Sequence, residues 1–446
     1  MKLAILGGGG FRVPLVYKAL LSDEGSPRVE TVTLYDPSPD RLRVIESVLA
    51  QQAATFADPP RVETTTELDT AVHGSDFVFS AIRVGGLTGR TQDERVALRL
   101  GVLGQETTGP GGIAYGLRTI PVAMRIADRV RALAPNAYVI NFTNPAGMIT
   151  ESMQRVLGNR VVGICDTPSG LGNRIADALE LDRSRVQLDY VGLNHLGWMR
   201  RVLHNGQDVL PKLLADDSAL STLEESAIFG NAWLRSLECI PNEYLYYYYF
   251  NRDAVRSIID QKTTRGEFLV KQQADFYRDA AAAPGRAHEI WHRTITERNA
   301  LYMAEAKGDH TVDPAEEEQE SGGYEAVALA VMAAIARNEQ VTMILNTRGG
   351  GAVPGLDPEA VVELPSTVDA NGVHPLATAP PNLTQLGLMQ QIKAVERLTI
   401  EAATTGSRDA AERAFALHPL VDSVSVAREL LRGYTEAIPA VAAVFG

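Results

Sequence analysis

Cysteine is nearly absent: Cys165 and Cys239 are the two thiols in 446 residues, too few for a disulfide framework and suited to a reducing compartment. Basic residues are outnumbered, 42 Lys and Arg against 55 Asp and Glu, giving a formal net charge of -13. That balance speaks against nucleic acid or an anionic membrane as a partner, so any anion site must be a local basic pocket. The Ala-rich stretch 326–336 is too short to span a bilayer and is predicted to be a buried helix. Residues 1–6 run straight into a predicted strand without a charged leader or a cleavable apolar stretch, and the expected location is cytoplasmic. Internal repeats and low-complexity tracts are lacking as well. What remains, 45% hydrophobic and 22% charged, is the composition of a soluble globular protein long enough for two domains.

Along the chain, short apolar runs alternate with helical periodicity. Strands are predicted at 2–6, 31–35, 77–82, 138–141 and 161–164, with helices at 13–21, 40–54, 118–133 and 148–157. This alternation predicts an α/β fold: a Rossmann-like, doubly wound, mostly parallel sheet with right-handed crossovers, forming an NAD-binding domain over residues 1–170. Residues 171–446 are expected to form a second, more helical α+β domain for substrate, metal and oligomer contacts. It should contain a strand at 186–191, an acidic solvated segment at 313–320, a connector at 376–381 and a helix from 383 to about 403. Ligands of a doubly wound sheet gather at the carboxyl ends of its strands, and Asp36, Arg83, Asn141 and Cys165 each stand at or just past such an end.

Gly7-Gly8-Gly9-Gly10 follows the first strand and precedes a helix, where backbone amides and the positive helix end can cradle a pyrophosphate. Phe11 and Arg12 complete the loop, Arg12 replacing the usual third glycine. Asp36, ending the second strand, suits a ribose 2′-hydroxyl and disfavours a 2′-phosphate, so NAD is preferred to NADP. Beyond the strand at 77–82, Arg83, Arg90 and Glu106 lie in a glycine- and charge-rich segment suited to closing over a polar ligand; a surface loop with salt bridges is the plainer reading, adopted for Arg95 and Arg99. Asn141 and Asn144 in Asn141-Phe142-Thr143-Asn144-Pro145 fit either a capped turn or a ligand contact. Cys165, taken alone, fits a buried thiol at a strand end and His195 a core imidazole, yet together they could hold a transition metal with positions left open. The run Tyr244-Leu245-Tyr246-Tyr247-Tyr248-Tyr249 suits aromatic packing, or one phenol activated as a base by an arginine such as Arg265.

Taken in order, the amino-terminal loop, Gly104-Gln105-Glu106-Thr107, Asn141-Phe142-Thr143-Asn144-Pro145, Cys165-Asp166-Thr167-Pro168, Asn194-His195 and Tyr244-Leu245-Tyr246-Tyr247-Tyr248 resemble glycoside hydrolase family 4. The likeness runs from residue 1 to about 270 and continues through Asn346-Thr347-Arg348-Gly349-Gly350 to His418-Pro419-Leu420-Val421. The resemblance implies a glycosidase dependent on NAD and Mn²⁺ or another divalent metal, an exception to paired-carboxylate hydrolysis. It implies Cys165 and His195 as metal ligands, and Arg90, Asn144, Glu106 and Arg265 around a phosphorylated disaccharide or glucoside. Tyr244 would be the base and Asp166 a further catalytic group. The implied course is oxidation at C3, deprotonation at C2, elimination of the aglycone, water addition and re-reduction. The opening segment and Asn194-His195-Leu196 look most like the 6-phospho-β-glucosidase branch, whereas an aspartate after the cysteine is typical of the α-glucosidase branch. A homodimer or homotetramer is the expected assembly. An NAD-dependent sugar or hydroxy-acid dehydrogenase would share the nucleotide domain but would accumulate NADH, and a non-catalytic NAD sensor would need neither base nor metal ligands.

Overall fold

The computed structural model describes residues 1–299 and 323–446; the acidic segment 313–320 lies outside the described residues. Its first six strands are β1 (Lys2–Leu6), β2 (Thr31–Tyr35), β3 (Arg61–Thr65), β4 (Phe77–Ser80), β5 (Tyr138–Asn141) and β6 (Val161–Gly163). They pair in parallel in the order β3-β2-β1-β4-β5-β6, the doubly wound arrangement of dinucleotide-binding domains. The alternation of side chains in β1 assigns its faces: Leu3 and Ile5 join the core with Val16 and Leu20 of the first helix, Val13–Leu21. Ala4 and Leu6 join the opposite core with Ile120 and Ala127 of the helix Pro110–Leu133. Each such aliphatic side chain contributes roughly 1.5–3 kcal/mol on burial.

The remaining strands are β7 (Val186–Leu193), β8 (Leu196–His204), β9 (Gln207–Asp208), β10 (Ile240–Pro241), β11 (Val341–Arg348), β12 (Val361–Asp369) and β13 (Gly372–Pro375). They extend the same sheet beyond β6 in the order β11-β12-β7-β8-β10, all antiparallel, with β13 beside β12 and β9 beside β8. The sheet therefore runs without interruption past residue 170. Strands β11 and β12, which the sequence pattern did not reveal, close that gap by placing Asn346 opposite Gly163 and Glu363 opposite Gly192. A side chain on Gly163 would meet Thr150 Oγ1 at 2.6 Å and Asn346 Cβ at 2.9 Å, so the join requires glycine.

The helix expected at 118–133 begins at Pro110. Proline is tolerated at a first helical position. The glycines after it serve close approach: a Cβ on Gly111 would lie 2.1 Å from the Gln105 carbonyl oxygen, and one on Gly112 2.2 Å from that of Thr107. The glycine-rich segment is thus partly a helix start packed under the 104–108 loop. The predicted buried helix at 326–336 is Tyr324–Arg337, and the late helix runs Leu383–Thr405 behind an Asn382 capping box. No helix among the described residues is long and apolar enough to cross a membrane.

Candidate active site

A cavity of about 980 Å³ opens over the carboxyl ends of the parallel strands. One end is built from backbone. Gly7 takes φ +86°, and both Gly7 and Gly8 donate their amides to the Tyr35 carbonyl, at 2.9 and 2.7 Å. This fastens the loop to the tip of β2. A Cβ on Gly8 would meet Leu34 Cβ at 2.6 Å, so the approach excludes any larger residue. Asp36 accepts from the Gly9 amide at 3.2 Å and from the Ser38 amide at 2.9 Å, which fixes its carboxylate beside the loop. Gly7, Gly10, Phe11, Arg12 and Asp36 line the cavity, while Gly8 and Gly9 lie behind it.

The other end is ionic. Glu106 stands between two guanidinium groups, pairing with Arg83 and accepting from Arg90 at 2.6 Å. Burial opposes its charge, but Arg83 and Arg90 together hold the carboxyl down at about 2. Arg90 is also gripped by Glu94 at 3.0 Å, and Glu94 accepts from the Gly266 amide at 2.9 Å, one residue beyond Arg265. Beneath them Arg118 and Asp93 form a buried bidentate pair at 2.7 and 2.6 Å, with the Val84 carbonyl taking the third donor. Arg265 starts the helix Arg265–Ala282 and donates to the Arg298 carbonyl at 2.9 Å. Arg12, Arg83, Arg90, Arg265 and Arg298 all line this cavity, a cluster of guanidinium groups in an acidic chain, with Arg83 and Arg90 paired to Glu106 and Glu94. Asn144 lines it too, and its buried Oδ1 has no hydrogen-bond partner, as expected of a group reserved for a ligand.

Cys165 follows β6, Asp166 caps the helix Thr167–Ala178 with no side-chain cap bond, and both line the cavity. His195 sits in the two-residue turn joining β7 to β8, at φ +62°, an uncommon conformation for a side chain of this size. Thr107 Oγ1 donates to Gln105 Oε1 at 3.1 Å and contacts His195 Nδ1 at 3.2 Å. Thr107 thus holds the Nδ1 side of the ring, leaving Nε2 as the nitrogen available to a metal in the tautomer that carries its hydrogen on Nδ1. Burial lowers His195 to about 4, so the ring is neutral at ordinary pH. Burial first, then Glu363 and Asp166, pushes the Cys165 thiol well up, a state that a bound cation would reverse. A thiol and a neutral imidazole lining one cavity could hold a divalent transition-metal ion. No group of three His, Cys, Asp or Glu suited to a metal occurs among the described residues, so such an ion would keep positions for substrate or water.

The Tyr244 ring stacks on His195 with centroids 3.8 Å apart and planes 2° from parallel. Tyr247 lines the cavity as well. The other tyrosines of the run face elsewhere: Tyr246 stacks on Phe250, Tyr248 on His418, and Tyr249 accepts from Trp198 Nε1 at 2.9 Å. Asn141 is not brought to the cavity. It is fully buried, its amide nitrogen donating to the Thr143 and Ala146 carbonyls and to Thr150, and its oxygen accepting from the Thr143 amide. The turn reading of Asn141 is thus the one its hydrogen bonds fit. Sequence reasoning passed over Thr107, which orients His195, and Arg298, which carries no local motif and reaches the site only through its helix, Ala287–Asn299.

The family 4 glycosyl hydrolase model matches residues 2–181, and the model of that family's C-terminal domain matches residues 190–421. A probable 6-phospho-β-glucosidase of Bacillus subtilis is 30% identical, covering 98% of this chain and 96% of that protein. The 6-phospho-α-glucosidase 1 of Lacticaseibacillus paracasei is 31% identical, covering 96% and 95%. The solved 6-phospho-β-glucosidase of Thermotoga maritima with manganese, NAD⁺ and glucose 6-phosphate is 28% identical, has a TM-score of 0.81 and covers 98% of both chains. With both family models and full-length relatives matched, the chain belongs to glycosyl hydrolase family 4.

Proposed function

We propose that the protein hydrolyses 6-phospho-β-glucosides to glucose 6-phosphate and an aglycone, in the cytoplasm, with NAD and a divalent ion such as Mn²⁺. The observation that carries this reading is a single cavity lined by the glycine loop and Asp36, by Cys165 and His195, by Tyr244, and by an arginine cluster. The likeness to relatives solved with NAD, manganese and glucose 6-phosphate supports the same ligand set. In this reading residues 1–170 serve the dinucleotide, residues 171–446 add His195, Tyr244 and Arg265, and the assembly is a homodimer or homotetramer.

When bound, NAD supplies a reversible hydride acceptor and the divalent ion a Lewis acid. The loop Gly7–Gly10 with Asp36 would hold the first, and Cys165 with His195 the second. Arg90, Asn144 and Arg265 take the 6-phosphate, Arg90 offering what Glu94 and Glu106 leave free of a guanidinium they hold rigid. Glu106, ion-paired with Arg83 and Arg90, lies beside the sugar site. Tyr244, stacked on the imidazole, removes the proton at C2.

Asp166 favours a second reading, a 6-phospho-α-glucosidase, because it lines the cavity directly after Cys165, where a carboxylic acid could give its proton to a departing oxygen. Assaying 6-phospho-α- and 6-phospho-β-glucosides with NAD, Mn²⁺ and a reductant tests both. Hydrolysis of the β anomer without NADH accumulation is expected; preference for the α anomer selects the second reading. NADH formed in step with product would replace both with a dehydrogenase.

A further inference from the structure

The glycine loop is held from outside its own domain segment. Three aromatic donors, each more than 260 residues downstream, reach three of its backbone carbonyls: Tyr277 Oη donates to Gly9 O at 2.6 Å, Trp291 Nε1 to Phe11 O at 2.8 Å, and Tyr324 Oη to Arg12 O at 3.0 Å. The donors come from three separate helices, Arg265–Ala282, Ala287–Asn299 and Tyr324–Arg337. Rings pack around these bonds. Phe11 meets Phe276 edge-on at 5.0 Å and Trp291 at 6.4 Å, and the Arg12 guanidinium lies 5.3 Å over Tyr324.

A peptide unit is rigid, so fixing a carbonyl oxygen fixes its whole plane: the Gly9 and Arg12 planes carry the Gly10 and Val13 amides, which close the turn on Gly7 O and Gly10 O at 2.8 and 3.1 Å, and the Phe11 plane carries the Arg12 amide. A tetraglycine segment has the widest backbone freedom of any sequence, and a dinucleotide seated against it would otherwise have to order it. We propose that Tyr277, Trp291 and Tyr324 are positioning residues for the dinucleotide, holding the loop closed in one backbone conformation before the ligand arrives. This rests on the NAD-dependent reading above. The bonds also join the loop to the helices that begin at Arg265 and end by Arg298, so the same elements that hold the nucleotide loop carry arginines of the sugar end.

The test uses the full-length protein and calorimetric titration with NAD and, separately, with glucose 6-phosphate. Tyr277→Phe keeps the ring, including its packing under Arg41 at 4.7 Å, and removes only the donor. Trp291→Phe and Tyr324→Phe extend the series. Tyr17→Phe is the control: Tyr17 is equally buried and donates to the Pro60 carbonyl at 2.9 Å, beside the opposite end of the sheet from the loop. Each loop variant should weaken NAD binding by about three- to tenfold, the scale of one lost hydrogen bond, and leave glucose 6-phosphate affinity unchanged. Tyr17→Phe should lower the melting temperature comparably with no loss of NAD affinity. Loop variants that bind NAD like wild type, or like Tyr17→Phe, overturn the inference. A wild-type protein that binds no NAD overturns the proposed function itself.

Discussion

The two ends of the cavity are made of different material. The nucleotide end is backbone, Gly7 to Gly10 fastened to Tyr35 and Asp36 within thirty residues of chain. The sugar end is side chains: Arg90, Glu106, Asn144, Cys165, His195, Tyr244 and Arg265 arrive from seven separate places in the sequence. A site made of backbone needs glycine where chains approach closely, and glycine is visible in a sequence. A site made of side chains depends on topology, because the residues become neighbours only after β11 and β12 stitch the two halves of the sheet together.

The contrast predicts that damage at the sugar end should remove chemistry and spare the nucleotide. Tyr244→Phe should reduce turnover by about 10²- to 10⁴-fold, the usual worth of a general base, with NAD affinity unchanged. Single-turnover kinetics beside NAD titration would show this split, and a variant that keeps its rate would pass the role to Tyr247, which lines the same cavity. Cys165→Ser should weaken metal binding on the order of 100-fold, read by manganese titration, since a thiolate ligand is lost while the glycine loop is untouched. An unchanged metal requirement would make Cys165 a packing residue.

At the nucleotide end the reverse should hold. Gly8→Ala places a methyl 2.6 Å from Leu34 Cβ. It should cost about 1–3 kcal/mol of stability and weaken NAD while sparing manganese affinity. The ion pairs of Glu106 should show themselves in acid. Glu106 titrates at about 2 in the folded protein against 4.5 in an unfolded chain. Its depressed value therefore adds stability that is complete above 4.5 and fades as the pH falls toward 2. Glu106→Gln should melt below wild type at neutral pH, and thermal melts should show the gap closing through that acid window. A gap independent of pH would mean the ion pairs with Arg83 and Arg90 contribute little.

Five of the six parallel strands were legible because they are short runs rich in apolar residues, as in Leu3, Ala4, Ile5 and Leu6, whereas the edge strand β3, Arg61–Thr65, is polar and half-exposed and gave no such signal. The glycine loop and Asp36 were legible for the backbone reason given above. Cys165, His195 and Tyr244 were visible as residue types, but only resemblance to a family brought them together. Asn141 was open to two readings, since an asparagine at a strand end serves a turn as readily as a ligand, and here its side chain bonds Thr143, Ala146 and Thr150 away from the cavity. Strands β11 and β12 were missed because their pairing with β6 and β7 joins residues about 170 or more positions apart, and no local pattern announces such a partner. Tyr277 and Trp291 were hidden for the same reason: each looks like ordinary core until its acceptor is known.

The central claim is that this cavity breaks a glycosidic bond by removing the C2 proton of a 6-phosphoglucoside while the nicotinamide ends as it began. Its most direct test is hydrolysis in deuterated water with NAD and Mn²⁺, with the glucose 6-phosphate read by NMR. The account predicts deuterium at C2 of the product and no NADH accumulating with turnover. Product formed with protium retained at C2 would contradict it and return the protein to direct displacement chemistry.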